Sequence, residues 1–483
     1  MSKETVNIPL ENVADDNLAP IEVSELDLYQ RREKIYTRKI EGFFQRIRLL
    51  SGWPLLLGYF LLPWLHWADQ QAVLFDLPER KFHIFFLTFW PQDFPLLSGL
   101  LIICAFGLFA ITNFAGRIWC GYTCPQTVWT AIYMWAEQFS EGSRNQRIKL
   151  DQEPWSLKKA FKKALKHTLW LGFAFLTGFT FIAYFYPSYE LFIDLFRGQL
   201  SLSVYAWIVF FTAATYINAG WMREQVCMYM CPYARFQSVM FDADTLIVSY
   251  DYNRGEPRGS RRRDNSNPEK QTLGDCIDCQ ICVQVCPTGI DIRNGLQYEC
   301  IGCALCIDGC NSVMDKMGYA PGLIRYTTEH LLEGAKTKIL RPRLIGYFLV
   351  LTLMILAFIF SLINRPLLQL DVIRDRQQIY SVSSAGLIEN IYRIEMLNKT
   401  SESQWFNLHL EGLQGVKFTE EPRYWIEAGT LLEMPIRLIS EPQNLKKTIN
   451  TVEFRLASEQ GASIEAKQAS RFIGPDDTQK RQR

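Results

Sequence analysis

The chain has 483 residues, 48% hydrophobic and 21% charged, with 51 Lys and Arg against 50 Asp and Glu. A formal charge of +1 excludes a nucleic-acid binder working by bulk electrostatics. The 14% of aromatic residues exclude a disordered chain, and thirteen clustered cysteines ending at Cys310 exclude a secreted disulfide scaffold.

The mean hydropathy of −0.03 is a sum of opposites. Five windows contain no Asp, Glu, Lys or Arg: Leu49–Ala68, Phe94–Gly116, His167–Tyr189, Gly198–Met222 and Leu344–Asn364. Each has the roughly 20 residues that a membrane helix needs. The chain therefore reads as a multi-domain membrane protein: a helical bundle of about five spans carrying soluble parts.

Residues 1–28 are polar, lack a signal-peptide pattern and read as flexible. Basic residues then alternate between the connections. Seven of them, from Arg31 to Arg48, precede or enter the first span, but only Arg80 and Lys81 follow it. Nine lie between spans two and three, including Lys158, Lys159, Lys162, Lys163 and Lys166. Arg197 stands alone before span four, and Lys336, Lys338, Arg341 and Arg343 precede span five. This places the N-terminus on the inner side and the C-terminus on the outer side. Ile84–Pro91 is too short to span and fits the outer interface. Gln126–Ala136, with Trp129, Tyr133 and Trp135, reads as an interfacial helix on the inner side.

Two cysteine patterns carry the chemistry. The first is Cys276-x2-Cys279-x2-Cys282-x3-Cys286-Pro287, repeated as Cys300-x2-Cys303-x2-Cys306-x3-Cys310. This is the spacing of a two-cluster bacterial ferredoxin, in which the fourth cysteine of each run reaches the other cluster. It assigns Cys276, Cys279, Cys282 and Cys310 to one [4Fe–4S] cluster, and Cys300, Cys303, Cys306 and Cys286 to the other. Structural zinc is the competing use of such cysteines.

The second pattern is Cys120-x3-Cys124-Pro125 at the end of span two and Cys227-x3-Cys231-Pro232 at the end of span four. The offset is 107 residues for both cysteines, so the two spans form a parallel internal repeat. Cysteines at i and i+4 share a helix face at about 5–6 Å, too far for a local disulfide but suited to a bridging soft metal. Three readings fit these thiols: copper, a third iron–sulfur cluster, or redox-active or structural thiols. Cys104 reads as a buried packing residue, and His66, His83 and His167 as interfacial or packing residues.

Arg254–Gln271 has the composition of an exposed linker, and Arg261–Arg263 is either a solvated run or a dock for an acidic donor. After the last span, Ile391–Leu397, Trp405–Leu410, Leu431–Leu438 and Thr451–Leu456 alternate and are separated by turn residues, which predicts a β-sandwich. The expected division is a flexible segment (1–42), a four-helix membrane domain (43–245), a linker (246–272) and a ferredoxin domain (273–320). A connector (321–343), the fifth span (344–364), the β-domain (365–475) and a tail (476–483) follow.

The stretches GRIWCGYTCPQTVW, REQVCMYMCPYARFQSVMFD and DYNRGEPRG, with the run Cys276–Cys310, make the chain resemble the cytochrome c oxidase accessory family known as CcoG, FixG or RdxA. The resemblance implies a bacterial inner-membrane protein with cytoplasmic N-terminus and ferredoxin domain and a periplasmic, immunoglobulin-like C-terminal domain. It implies reduction of Cu(II) to Cu(I) for a cbb3-type oxidase, with Cys120, Cys124, Cys227 and Cys231 handling copper. Expected partners are the lipid bilayer, oxidase subunits or copper-delivery proteins, an unidentified cytoplasmic electron donor and a second copy in a homodimer, with no nucleic acid. Two other functions fit: a quinol-linked polyferredoxin subunit similar to NapH, and a non-enzymatic scaffold or copper chaperone.

Overall fold

A computed structural model describes residues 34–67, 70–85, 87–260, 273–375, 378–400, 402–445, 447–459 and 464–475. The acidic N-terminal stretch, the Arg261–Arg263 run and the C-terminal tail lie outside the described residues.

Helix α1 (Phe43–Leu61) opens the bundle. It starts earlier than the first apolar window, with Arg46 and Arg48 in its first turns, and ends where Leu62–Trp64 tightens into a 3₁₀ turn. Short strands follow: β1 (His66–Trp67), β2 (Gln70–Gln71), and the meander β3 (Val73–Asp76), β4 (Lys81–Ile84) and β5 (Leu87–Phe89). Helix α2 (Phe94–Ala115) is succeeded by α3 (Ile118–Tyr122), α4 (Pro125–Glu141) and α5 (Arg144–Gln152). Helices α6 (Leu157–Ile182), α7 (Ser188–Arg197) and α8 (Leu202–Thr215) follow, α8 running into a π-helical turn at Tyr216–Met222. A second π-helical turn, Val226–Met230, leads to α9 (Pro232–Met240).

Among the described residues four helical segments are long and apolar enough to cross a membrane: Pro91–Ala115, Leu157–Ile182, Leu202–Met222 and Pro342–Ile363. The first predicted window corresponds to α1, whose 19 residues carry two arginines. The lysine run expected before the third span is on the span itself. Ser156 caps α6 by accepting the Lys159 N–H at 3.2 Å, and the lysines form the first turns of the helix.

The ferredoxin region comprises β6 (Ile247–Tyr250), α10 (Tyr252–Gly255), α11 (Ile281–Val285), α12 (Leu305–Met317), β7 (Ile324–Thr327) and α13 (Glu329–Leu332). Strands β6 and β7 pair antiparallel across the two cysteine runs, so the domain closes on itself although its ends are far apart in sequence. Helix α14 (Pro342–Ile363) then leads to the β-domain.

That domain packs one antiparallel sheet, ordered β12 (Val416–Phe418), β14 (Thr430–Ser440), β10 (Ile388–Asn398), β8 (Leu368–Arg374), with β9 (Ser381–Val382) on β10, against a second. The second is ordered β13 (Arg423–Ile426), β11 (Gln404–Glu411), β15 (Ile449–Ser458), β16 (Glu465–Ile473). Inward residues alternate along the strands, so Tyr392, Ile394, Phe406, Leu408, Phe454 and Leu456 share one core. The sandwich expected from the alternating runs is present, and each predicted run falls inside a strand.

The sandwich is tied to the bundle by a buried ionic node. Asp93, at the start of α2, pairs with Arg365 and with Lys399 Nζ at 2.9 Å, and Arg365 also lies over the Phe89 ring at 5.0 Å. Removing this acid strands two cations, of which Lys399 is 3% exposed. Asp93→Ala is therefore expected to release the β-domain, at a cost of about 3–5 kcal/mol to the docked state. Limited proteolysis of the α14–β8 junction would read this, and unchanged cleavage would count against the node.

One local expectation is corrected. Cys104 is exposed on α2, because that helix buries little of its surface against protein. On helix α4 the three aromatics divide between the protein interior and the surface. Tyr133 is fully buried, and Trp129 donates from Nε1 to Thr177 Oγ1 at 3.1 Å on α6, leaving only Trp135 of the three exposed.

Candidate redox site

The two ferredoxin runs fold alike down to single dihedrals. Asp278 and Gln280 in the first, and Gly302 and Ala304 in the second, all have φ between 51° and 66°. Residues 276–282 and 300–306 are offset by 24, and so are these pairs. Left-handed residues alternating with right-handed ones turn successive backbone N–H groups inward, a concavity that suits the sulfur anions of a cluster.

Around these loops are two cavities. One is lined by Cys276, Cys279, Cys282 and Cys310, the other by Cys286, Cys300, Cys303 and Cys306, with Cys282 in the wall between them. Cys310 thus lines the first cavity and Cys286 the second. No three His, Cys, Asp or Glu side chains among the described residues converge on a single ion. Thiols arranged around a cube need not meet at a point. Two groups of four cysteines at this spacing are the donor set of iron–sulfur clusters. Burial pushes the thiols of Cys282, Cys300 and Cys310 up to about 12, so only a bound metal would hold them as thiolates near neutral pH.

The cavities differ in position. Cys279 is exposed, so the first cavity lies near solvent. The second is pressed against the C-x3-C-P motifs. A Cβ on Gly121 would stand 2.8 Å from Cys303 Cα and 2.9 Å from Gly302 O, so the chain between Cys120 and Cys124 touches the second ligand loop backbone to backbone. Cys120 packs against the cluster of Ile301, Cys303 and Leu305. Tyr326 donates to Gly302 O at 2.6 Å and lies 3.2 Å from the Tyr122 hydroxyl. The buried Arg117 guanidinium donates to Tyr298 O and Cys300 O on the ferredoxin loop and to Ala234 O on α9, so one side chain joins both repeats to the second cavity. Asp308 on α12 accepts the N–H groups of Phe44 and Gln45, fixing the domain to the start of α1.

The internal repeat is structural as well as sequential. Cys124 and Cys231 are both N-caps, with ψ of 128° and 111°, followed by Pro125 and Pro232 at the first helical position. Proline excludes the residue before it from the helical region and is itself favoured at a helix start. In both motifs, therefore, the cysteine pair bridges a break between two helices. The backbone before the motif is shared too: Gly116, four before Cys120, has φ 56° and ψ −126°, and Arg223, four before Cys227, has φ 45° and ψ −111°. Arginine in this conformation costs of order 1–3 kcal/mol.

What holds Arg223 is a buried ionic network. Glu137 forms an ion pair with Arg223 Nη2 at 2.6 Å and accepts from Arg147 Nη1 at 3.0 Å, and Glu141 pairs with Lys163 at 2.8 Å and Lys166 at 3.0 Å. Burial pushes the Glu137 carboxyl up, but Arg223, Lys166 and Arg147 outweigh it and the group lies below its usual range. Nothing in the one-dimensional pattern of α4 marks these acids as buried.

The structure brings Cys120 within electrostatic reach of Cys124 and Cys227, and Cys124 and Cys227 within reach of each other and of Cys231. Burial, then Cys124, raises Cys120 to about 12, and burial, then Cys124 and Cys231, raises Cys227 to about 12. Burial raises Cys124 as well, with Cys231 adding to it. Cys120 Sγ donates to Gln237 Oε1 at 3.5 Å. These are protonated, half-buried soft donors beside the second ferredoxin cavity, and any metal they take must displace protons. Cys227 also lines a small cavity together with Arg48, Gln126, Arg223 and Thr288.

Comparison with known proteins gives a family to each region. Residues 222–329 match the model of a 4Fe-4S dicluster domain, and residues 97–142 that of a 4Fe-4S binding domain. Residues 358–475 match the immunoglobulin-like fold found at the C-terminus of FixG. The chain is 40% identical over 423 residues to the nitrogen fixation protein FixG of Rhizobium meliloti (strain 1021), covering 80% of each. It is 38% identical over 430 residues to protein RdxA of Cereibacter sphaeroides, covering 85% of this chain and 87% of that one. A crystal structure of a FixG-related protein from Vibrio parahaemolyticus is 33% identical and covers 22% of this chain and 95% of its own, with a TM-score of 0.21.

Proposed function

The chain belongs to the FixG/RdxA family of membrane iron–sulfur proteins, and from that premise we propose that it reduces Cu(II) to Cu(I) for the assembly of a cbb3-type cytochrome c oxidase. Cys276, Cys279, Cys282 and Cys310 hold one [4Fe–4S] cluster, and Cys286, Cys300, Cys303 and Cys306 the other. When bound, the clusters supply electrons one at a time. Copper is the substrate, held by Cys120, Cys124, Cys227 and Cys231, whose thiolates favour the monovalent ion. The observation that carries this reading is the contact of Gly121 with Cys303, which sets four soft donors against the second cluster cavity.

The basic residues near the spans orient the protein with its ferredoxin domain in the cytoplasm and its β-domain in the periplasm of a bacterial inner membrane. Oxidase subunits or copper-delivery proteins are then the recipients of Cu(I).

The test is anaerobic turnover of the reconstituted protein with reduced clusters, followed by a Cu(I)-specific chelator. Wild type is expected to make many Cu(I) per chain. The Cys120/Cys124/Cys227/Cys231→Ala protein is expected to make none beyond the electrons stored in its clusters. Full turnover by that variant would remove the copper site from these thiols.

A second reading has an observation of its own: the segment 97–142, which contains Cys120 and Cys124 but none of the ferredoxin cysteines, matches a 4Fe-4S binding model. In it the four thiols ligate a third cluster. Iron analysis separates the two, since two four-iron clusters give about eight irons per chain and three give about twelve. The quadruple variant loses iron only in the second case.

A further inference from the structure

Between α6 and α8 lies a groove that neither the cluster cavities nor the thiols use. It holds about 570 Å³ and is open along one side, within the range of small-molecule sites. Ala164, Thr168, Thr212 and Ala213 leave the space, and His167 and Tyr216 are its aromatic hydrogen-bonding groups. The two helices close up further along, where Gly178 has no room for a Cβ against Thr212 and Ile208. Both helices are membrane spans by length and composition, so the open side faces hydrocarbon and the occupant must be lipid-soluble.

Its polar end is specific. His167 Nδ1 and the Tyr216 hydroxyl are hydrogen-bonded at 2.7 Å, and His167 Nε2 makes no hydrogen bond among the described residues. No charged side chain lines the groove, so it suits a neutral head group with an O–H or carbonyl better than a phosphate. Behind the pair stands Trp170, edge-on to His167 at 5.3 Å and to Tyr216 at 6.0 Å. The Arg223 guanidinium covers the same indole at 5.2 Å and lines, with Cys227, the neighbouring cavity. A continuous packed row therefore links the groove to the thiols.

The geometry points to a quinol site: a membrane quinol occupies this groove, its ring oxygen on the His167–Tyr216 pair, and reduces copper at the thiols. One quinol and two Cu(II) give one quinone, two Cu(I) and two protons. Both quinol O–H bonds break, the electrons pass singly by way of Trp170 and Arg223, the proton of the ring oxygen on the pair leaves through His167, that of the opposite oxygen leaves directly, and both are released to water. The copper half of this step rests on the function proposed above; the binding half does not.

The experiment uses the full chain with its clusters in nanodiscs, with decylubiquinol and a short-chain menaquinol as separate anaerobic probes. Saturable binding of one or both quinols and their oxidation with two Cu(I) formed per quinol are expected. His167→Ala and Tyr216→Phe are expected to weaken quinol binding about tenfold or more, each having lost a hydrogen bond in a low-dielectric site. Their cluster EPR signals, after reduction with dithionite, verify folding. Retention of phospholipid that neither quinol displaces, binding unaffected by both variants, or binding without quinol oxidation overturns the proposal. Dithionite on the wild type separates the two readings. Cu(I) from dithionite but not from either quinol sinks the groove alone. Oxidation of bound quinol by the clusters, with no Cu(I) from any reductant, sinks the copper reading and leaves the groove standing.

Discussion

Gly121→Ala is expected to slow electron transfer from the ferredoxin domain to the C-x3-C-P thiols severalfold, because tunnelling falls steeply as donor and acceptor move apart. The added Cβ would meet Cys303 Cα at 2.8 Å and Cys303 N at 2.9 Å, and backbone cannot step aside as a flexible side chain can. The second ligand loop must therefore back away from Cys120, breaking the Arg117 and Tyr326 contacts that hold it. The ferredoxin core is built from its own residues, Val248, Ile292, Met314 and Ile324 among them, so the domain keeps its fold. Stopped-flow oxidation of the reduced clusters by Cu(II), beside an iron analysis, checks the prediction. Full iron with slow oxidation supports it. Wild-type rates would show that the contact does not couple the two parts.

Much of this was legible in the chain itself. The ferredoxin spacing gives its cavities because x2 gaps leave no freedom in which thiols share a corner, and the crossover of Cys286 and Cys310 follows. The 107-residue offset marks the repeat, and the alternation of residues 388–398 and 404–411 gives the two faces of the sandwich. What was not legible depends on distant partners. Gly121 is one glycine among 29 until Cys303 lies against it. Cys104 looks like a core residue because lipid and protein interiors select the same side chains. His167 reads as packing until Tyr216, 49 positions away, is beside it.

A stability effect of the same order as that of the Asp93 node belongs to Glu137. Its carboxylate is 1% exposed and bridges Arg147, which is 0% exposed, to Arg223. Glu137→Ala leaves both cations buried without their acid, and breaking a buried pair in this way costs about 3–5 kcal/mol. Glu137→Gln keeps the shape but not the charge and is expected to recover only part of that. Thermal unfolding in detergent, followed by tryptophan fluorescence, reads both variants. Arg223 also carries a backbone conformation that arginine resists, so loss of Glu137 should loosen the π-helical turns before the rest of the bundle. Hydrogen exchange of residues 216–230 would locate the loosening, and a uniform loss of protection would argue for a general collapse instead.

The matched dihedrals of Gly116 and Arg223 make the two copies of the repeat unequal in what they tolerate. At 116 a side chain is doubly opposed, by a φ of +56° and by Leu246 O at 3.0 Å from the position of a Cβ. At 223 an arginine stands in nearly the same conformation. The two halves thus share a backbone path but not a chemistry: the first keeps the turn empty, and the second fills it with a charge.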